Sequence, residues 1–207
     1  MKSTHWTDKT LAEVKADIVA RIGLRHPFLG VDPGIVHEVV ERLTSLERDL
    51  WAEEWSQVAE RCRLQGEELA ASGDVSRATE AYFNAYKLFT LARYPTPVNQ
   101  KKRQAYRRAV ESYLAAARSF DPPLERVVIP FEGKSIVAYL RLPPGSGPHP
   151  LVMHWGGIDM WKEDTRQGAE VFLRRGMGSF TVDIPGTGEC PVPASPTGER
   201  VFSAALD

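Results

Sequence analysis

The sequence predicts an α/β protein in two successive parts, an all-helical region over residues 1–120 and a strand-containing region over residues 121–207. Three observations carry this. Apolar residues recur at helical spacing up to about Phe120. Asp121-Pro122-Pro123 then interrupts the pattern. Beyond it the apolar period falls to two, and short apolar runs flank one amphipathic helical stretch, the order of an α/β sheet.

Thr10 and Glu13 have capping-box spacing at the head of a first helix bearing Leu11, Val14, Ile18 and Ile22. Asp32-Pro33 supplies an N-cap and a first-turn proline for a second, with Val36, Val39, Leu43 and Leu46 on one face. A third carries Trp51, Trp55, Val58, Cys62 and Leu69. Gly73 suits the left-handed position after it, and Asp74 caps a fourth helix with Ala78, Ala81, Tyr82, Ala85, Leu88, Phe89 and Ala92 inward. Pro95 and Pro97 end that helix. A fifth, from about Gln100, turns Tyr106, Ala109, Val110, Tyr113, Leu114 and Ala117 inward. Alanines at this spacing let helices approach closely, and no second copy at a fixed period supports a solenoid. Trp51, Trp55, Tyr82, Phe83, Tyr86 and Phe89 read as core, with a pocket-lining role open for one or two. The run Lys101, Lys102, Arg103, Arg107 and Arg108 reads as a solvated helix face, the alternative being an anion or partner patch.

In the second part, Val127–Ile129 and the alternation of Ile136, Ala138, Leu140 and Leu142 with Ser135, Val137, Tyr139 and Arg141 predict a hairpin about Gly133-Lys134 with one buried face. Pro143–Pro150 is a surface loop. Leu151–Met153 reads as a strand covered on both faces. A helix with Ala169, Phe172 and Leu173 follows, stopped by Gly176, and Phe180 and Val182 mark another buried strand. Strand–helix–strand implies a right-handed parallel crossover.

The formal net charge of -1 exerts no global pull towards nucleic acid or an anionic membrane. The first ten residues are polar, and no apolar run approaches the length of a membrane span. Cys62 and Cys190 form no C-x-x-C pair, so neither a disulfide framework nor a zinc site is expected, in keeping with a cytoplasmic protein. Cys190, in a Pro/Gly-rich loop without a basic neighbour, is a poor nucleophile candidate. No cofactor or metal is indicated.

Two strand-end loops concentrate the chemistry. His154-Trp155-Gly156-Gly157-Ile158-Asp159 directly follows a strand, where open α/β sheets bind ligands. Its glycines allow close approach to a substrate oxygen, so the amides of Gly157 and Ile158 are candidate oxyanion donors; the plain alternative is a glycine-rich turn. His154 is either a base or a hydrogen-bonded structural residue. The second loop is Asp183-Ile184-Pro185-Gly186-Thr187-Gly188-Glu189. Its glycines match neither G-x-G-x-x-G nor a Gly-Lys-Ser/Thr phosphate loop, which favours a tight turn beneath a site. Asp183 and Glu189 are candidates for an acid–base pair or for turn-forming, backbone-bonding roles.

Taken together, the alanine/aromatic helix Ser76–Tyr94, the hairpin with PPGSGPHP, the GGID loop followed by Lys162-Glu163, and D-x-P-G-x-G-E at Asp183–Glu189 resemble one branch of the α/β-hydrolases. That branch carries an N-terminal helical domain and includes dihydroxypseudooxynicotine hydrolase, fungal polyketide-shortening pigment hydrolases and relatives of the fermentation-respiration switch esterase. The resemblance spans about Glu67 to Pro191. It implies an α/β-hydrolase fold preceded by a helical cap, a small-molecule substrate between cap and sheet, and a homodimer. It also implies a Ser-Asp-His triad that cleaves esters or carbon–carbon bonds next to a ketone.

The triad of that family lies beyond the second loop, which here means beyond Asp207, and no G-x-S-x-G occurs in the 207 residues. Thr197–Asp207 resembles the start of the helix before the nucleophile strand and shows no C-cap. The expectation is therefore the N-terminal portion of a serine hydrolase that needs a second polypeptide, the C-terminal half of its domain or extensive self-association, since Leu151–Met153 would otherwise present an open edge. Trp155 and Trp161 tilt the substrate towards an aromatic or bulky apolar group. The alternative is a non-catalytic binding or regulatory module; a helical scaffold with tetratricopeptide-like packing explains only the first 120 residues.

Overall fold

The computed structural model describes residues 9–206. The chain divides into two compact units at Ala116/Ala117. The helical unit contains α1 (Leu11–Arg21), α2 (Pro33–Arg42), α3 (Arg48–Ala71), α4 (Val75–Arg93) and most of α5 (Gln100–Ala117).

The caps form where the sequence places them. Thr10 and Glu13 make a reciprocal capping box, Asp32 accepts from the amides of Gly34 and Ile35, and Asp74 accepts from Arg77. Gly73 adopts φ 84° after α3. Helices α3 and α4 pack extensively, and Gly66 permits it: a β-carbon there would lie 2.8 Å from the Tyr82 ring. Trp51, Trp55, Tyr86 and Phe89 are buried, whereas Tyr82 and Phe83 are only partly covered. Trp51 Nε1 donates to the Leu91 carbonyl at 2.7 Å, and its ring lies 5.7 Å from that of Trp55.

The basic run is not wholly solvated. Lys102 is buried, and its Nζ donates to the Tyr94 carbonyl at 2.6 Å. Desolvation, reinforced by the charges of Arg48 and Arg93, pulls its amine down to about 8. Its aliphatic stem falls on the same stripe as the buried Ala105, Ala109 and Ser112, which carries it inward. Lys101 instead pairs with Glu53, and Arg108 with Glu111.

The second unit is a four-stranded sheet of order β1-β2-β4-β3, from β1 (Glu125–Phe131), β2 (Lys134–Arg141), β3 (Leu151–His154) and β4 (Gly178–Val182). Strands β1 and β2 form the expected hairpin, turning through Glu132 and Gly133 at φ 46° and 74°. Strand β2 also pairs antiparallel with β4, while β3 and β4 run parallel, joined through a 3-10 turn (Lys162–Thr165) and α6 (Arg166–Leu173). A short α7 (Arg200–Leu206) follows the second loop.

Two expectations change here. Strand β2 is buried on both faces: Ile136 and Ala138 join Phe180, Val182, Val192 and Val201 in an apolar core, while Val137, Tyr139 and Arg141 are buried on the other face. There Tyr139 bonds to the 3-10 turn, and Arg141 pairs with Glu170 of α6 at 2.6 Å and stacks on Phe120. Strand β3 is less covered than expected: Leu151 is 49% exposed, and Val152 and Met153 are only partly buried. Among the described residues only β4 pairs with it, so it forms the open edge expected of it.

Candidate active site

Parallel pairing of β3 and β4 brings the loops after them to the same end of the sheet. The first loop is anchored at its start by His154. Its Nε2 lies 2.7 Å from Ser179 Oγ and 2.9 Å from Thr181 Oγ1, both on β4, and its ring packs edge-on against Phe172 of α6. Burial lowers the imidazole's pKa and favours its neutral form. Between the two readings of His154, its contacts are those of a residue clamping β3 to β4.

The turn then closes on itself. The Gly157 N–H donates to the Met160 carbonyl at 2.8 Å, and Trp161 Nε1 donates to the Ile158 carbonyl at 3.0 Å. A β-carbon on Gly156 would lie 2.1 Å from that Met160 oxygen, so glycine is obligatory there; one on Gly157 would meet nothing within 4 Å. Ile158 is 74% exposed at the tip, and Asp159 is half-buried. Trp155 is about half exposed and lies 4.8 Å from the ring of Phe202. The loop ends at buried Trp161, whose amide donates to Asp164 Oδ2 at 2.9 Å.

The second loop is built around Asp183. This buried carboxylate accepts from the Lys162 amide at 2.8 Å, from Lys162 Nζ at 2.9 Å and from the Glu189 amide at 2.9 Å. A β-carbon on Gly188 would sit 2.0 Å from Asp183 Oδ2, and Gly188 has φ 51°, so both space and backbone require glycine. Gly186 donates to the Val192 carbonyl at 2.8 Å, and Pro185 packs against Gly198. Asp183 and Glu189 thus meet through a backbone bond. They do not form an isolated acid–base pair.

Lys162 joins the two loops. Its side chain is fully buried, and Nζ lies 2.8 Å from Glu163 Oε1, 2.9 Å from Asp183 Oδ2 and 2.8 Å from Glu189 Oε2. Tyr139 donates its hydroxyl to Glu163 Oε1 at 2.9 Å, and Arg126 meets Glu189 Oε1 at 3.0 Å. Burial, more than its neighbours, raises the Glu163 pKa above the usual carboxylate range, with Lys162 opposing. Burial likewise raises the Tyr139 phenol, so it remains a donor. Neither Lys162-Glu163 nor Tyr139, on the hairpin's other face, carries a local sequence signal for this role. An adjacent lysine and glutamate before a helix is locally indistinguishable from a solvated pair.

Among the described residues no cluster of three His, Cys, Asp or Glu side chains is arranged to hold a metal ion. Among the same residues no helix is long and apolar enough to cross a membrane. Cys190 is half-buried, and desolvation raises its thiol pKa, away from nucleophilic character.

The helices and mixed sheet, with paired loops at the ends of parallel strands, are those of the first part of an α/β-hydrolase fold. The crystal structure of 2,6-dihydroxy-pseudo-oxynicotine hydrolase superposes with a TM-score of 0.70 and 30% identity, covering 86% of this chain and 50% of that one. The solved structure of wild-type AbyA5 shares the fold, with a TM-score of 0.66 at 23% identity over 96% of this chain and 51% of its own.

The chain belongs to the Esterase FrsA-like family, whose model matches residues 18–192. It is 32% identical to 2,6-dihydropseudooxynicotine hydrolase of Paenarthrobacter nicotinovorans over 139 residues, 67% of this chain and 38% of that protein. It is 28% identical to Esterase FrsA of Vibrio vulnificus over 199 residues, 89% of this chain and 48% of that protein. The chain therefore spans less than half the length of these two relatives.

Proposed function

We propose that these residues form the helical cap and the oxyanion-loop portion of a cofactor-independent serine hydrolase. It cleaves an ester or a ketone-adjacent carbon–carbon bond in a small aromatic or bulky apolar substrate. The carrying observation is the placement of the 155–161 loop and the Asp183–Glu189 loop side by side at the carboxyl ends of parallel β3 and β4. Membership of an esterase family supports the same reading. Serine, acid and histidine come from polypeptide beyond Asp207, the C-terminal half of the domain, and the working protein is a cytoplasmic homodimer.

In this mechanism the serine attacks the substrate carbonyl, and the developing oxyanion is met by the amides of Gly157 and Ile158. The Gly157 N–H now closes on Met160, so substrate binding has to exchange that carbonyl for the oxyanion. Each such donor is worth roughly 3–4 kcal/mol of barrier. A half-exposed Trp155 beside Phe202 offers an aromatic surface next to the turn.

The test is fluorophosphonate labelling of the purified protein, followed by intact mass under denaturing conditions. A labelled serine in polypeptide accompanying these residues is the expected outcome. A single unlabelled 207-residue species with no turnover of activated esters supports a non-catalytic binding module instead.

A further inference from the structure

Lys162 has an unusual position for a lysine. It is fully buried among three carboxylates, Glu163, Asp183 and Glu189, each within 2.9 Å of Nζ. Burying such a cluster carries a large desolvation cost, and an apolar packing of the same volume is often as stable. The three partners do not come from one element. Glu163 lies in the 3-10 turn and is tied to β2 through Tyr139, Asp183 immediately follows β4, and Glu189 closes the second loop. Lys162 itself follows directly on Trp161, where the first loop ends.

Two of the three connections, to Asp183 and Glu189, reach the second loop. The Lys162 amide and Nζ grip the two oxygens of Asp183, and the Glu189 amide grips Oδ2 as well. The Gly157 N–H is held by the Met160 carbonyl, and Met160 leads through Trp161 to Lys162. His154 fixes the loop's start to β4 independently. The loop carrying the proposed oxyanion donors is thus pinned at one end by His154 and at the other by Lys162.

We infer that Lys162 is a positioning residue of the proposed hydrolase: through Asp183 and Glu189 it locks the 155–161 loop to the 184–190 loop, and so sets where the Gly157 and Ile158 amides stand. This rests on the hydrolase reading for its catalytic consequence, though not for the coupling of the loops. A misplacement of about 1 Å can reduce catalysis roughly 100-fold without changing what the site binds. The lysine should therefore act on kcat and leave KM nearly untouched.

The experiment uses Lys162→Met, which keeps length and removes charge, and Glu189→Gln, at a partly exposed position that removes one ion-pair partner. Hydrogen exchange is followed by mass spectrometry over both loops and over α1–α5, and activated-ester hydrolysis is measured as separate kcat and KM. Faster exchange in both loops together, by about tenfold for Lys162→Met and less for Glu189→Gln, is expected, with α1–α5 unchanged. Ester kcat should fall by about 100-fold with KM within about threefold. Unchanged protection in both loops overturns the inference, as does faster exchange in the 184–190 loop alone. Should Lys162→Met not fold, Glu189→Gln decides by the same criterion. These measurements use protein that carries the C-terminal half of the domain; should hydrolysis be absent from that unsubstituted protein, the hydrolase reading fails, and exchange alone decides whether the loops are coupled. A fall in kcat without any change in exchange also overturns it, because the lysine would then act by another route.

Discussion

Lys162 holds both oxygens of Asp183, Oδ1 through its backbone amide at 2.8 Å and Oδ2 through its Nζ at 2.9 Å. One residue thus fixes another by main chain and side chain at once, across two different strand-end loops. Removing the carboxylate leaves a buried ammonium and two amides short of an acceptor. Asp183→Ala should lower unfolding stability by about 3–5 kcal/mol in urea titration, and Asp183→Asn, which keeps one acceptor, by less. Equal midpoints for Asp183→Ala and the parent protein would contradict the network described here.

Adjacent glycines in the first loop should respond differently. A β-carbon on Gly156 meets the Met160 carbonyl oxygen at 2.1 Å, whereas one on Gly157 meets nothing within 4 Å. Gly156→Ala should cost about 1–3 kcal/mol by overpacking against backbone that cannot swing aside. Gly157→Ala should stay within about 0.5 kcal/mol. Thermal unfolding of the two variants side by side is sufficient, and the reverse ranking would refute the turn geometry.

Gly66 offers a test in the helical unit. Alanine is intrinsically better than glycine inside a helix by about 1 kcal/mol. Here its methyl would press on the Tyr82 ring at 2.8 Å. Gly66→Ala should therefore destabilise the protein, and in a Tyr82→Ala background the same change should stabilise it. Additivity in the double-mutant cycle would show that α3 and α4 are not in contact at this point.

His154 gives stability a pH dependence. Burial holds its pKa below the ordinary 6.5, so just below that pH the unfolded chain binds more protons than the folded one. Its contribution is intact above about 6.5 and is lost as the pH falls through the lowered folded value. Melting temperatures from about pH 7.5 to about pH 5 should decline for the parent more steeply than for His154→Asn, which does not titrate. Parallel curves would assign the acid sensitivity to another group.

Much of the scaffold was legible because its signals are local. The Thr10/Glu13 box, Asp32-Pro33, Gly73-Asp74 and the hairpin about Gly133 each specify a cap or a turn within a few residues, and each forms. The two strand-end loops were legible for the same reason. What brings them together was not. Lys162, Asp183 and Glu189 meet only after β3 and β4 pair, and Tyr139 reaches Glu163 from another strand. Period-two alternation assigned β2 one buried face because it registers hydrophobicity, and Tyr139 and Arg141 are buried by partners it cannot register. Lys102 escaped likewise: a charge in a basic run reads as solvated until a distant carbonyl is found to receive it.

The pinned ends of the 155–161 loop bear on how such a protein can diverge. Tyr139, Lys162, Glu163, Asp183 and Glu189 depend on one another, so a lineage that changes one inherits a defect until others follow. The exposed tip at Ile158 carries no such debt to the frame, and Trp155, half exposed against Phe202, stands outside the buried network. Variation can accumulate there one substitution at a time, giving related chains different surfaces at the strand ends while the hinge points beneath them stay fixed.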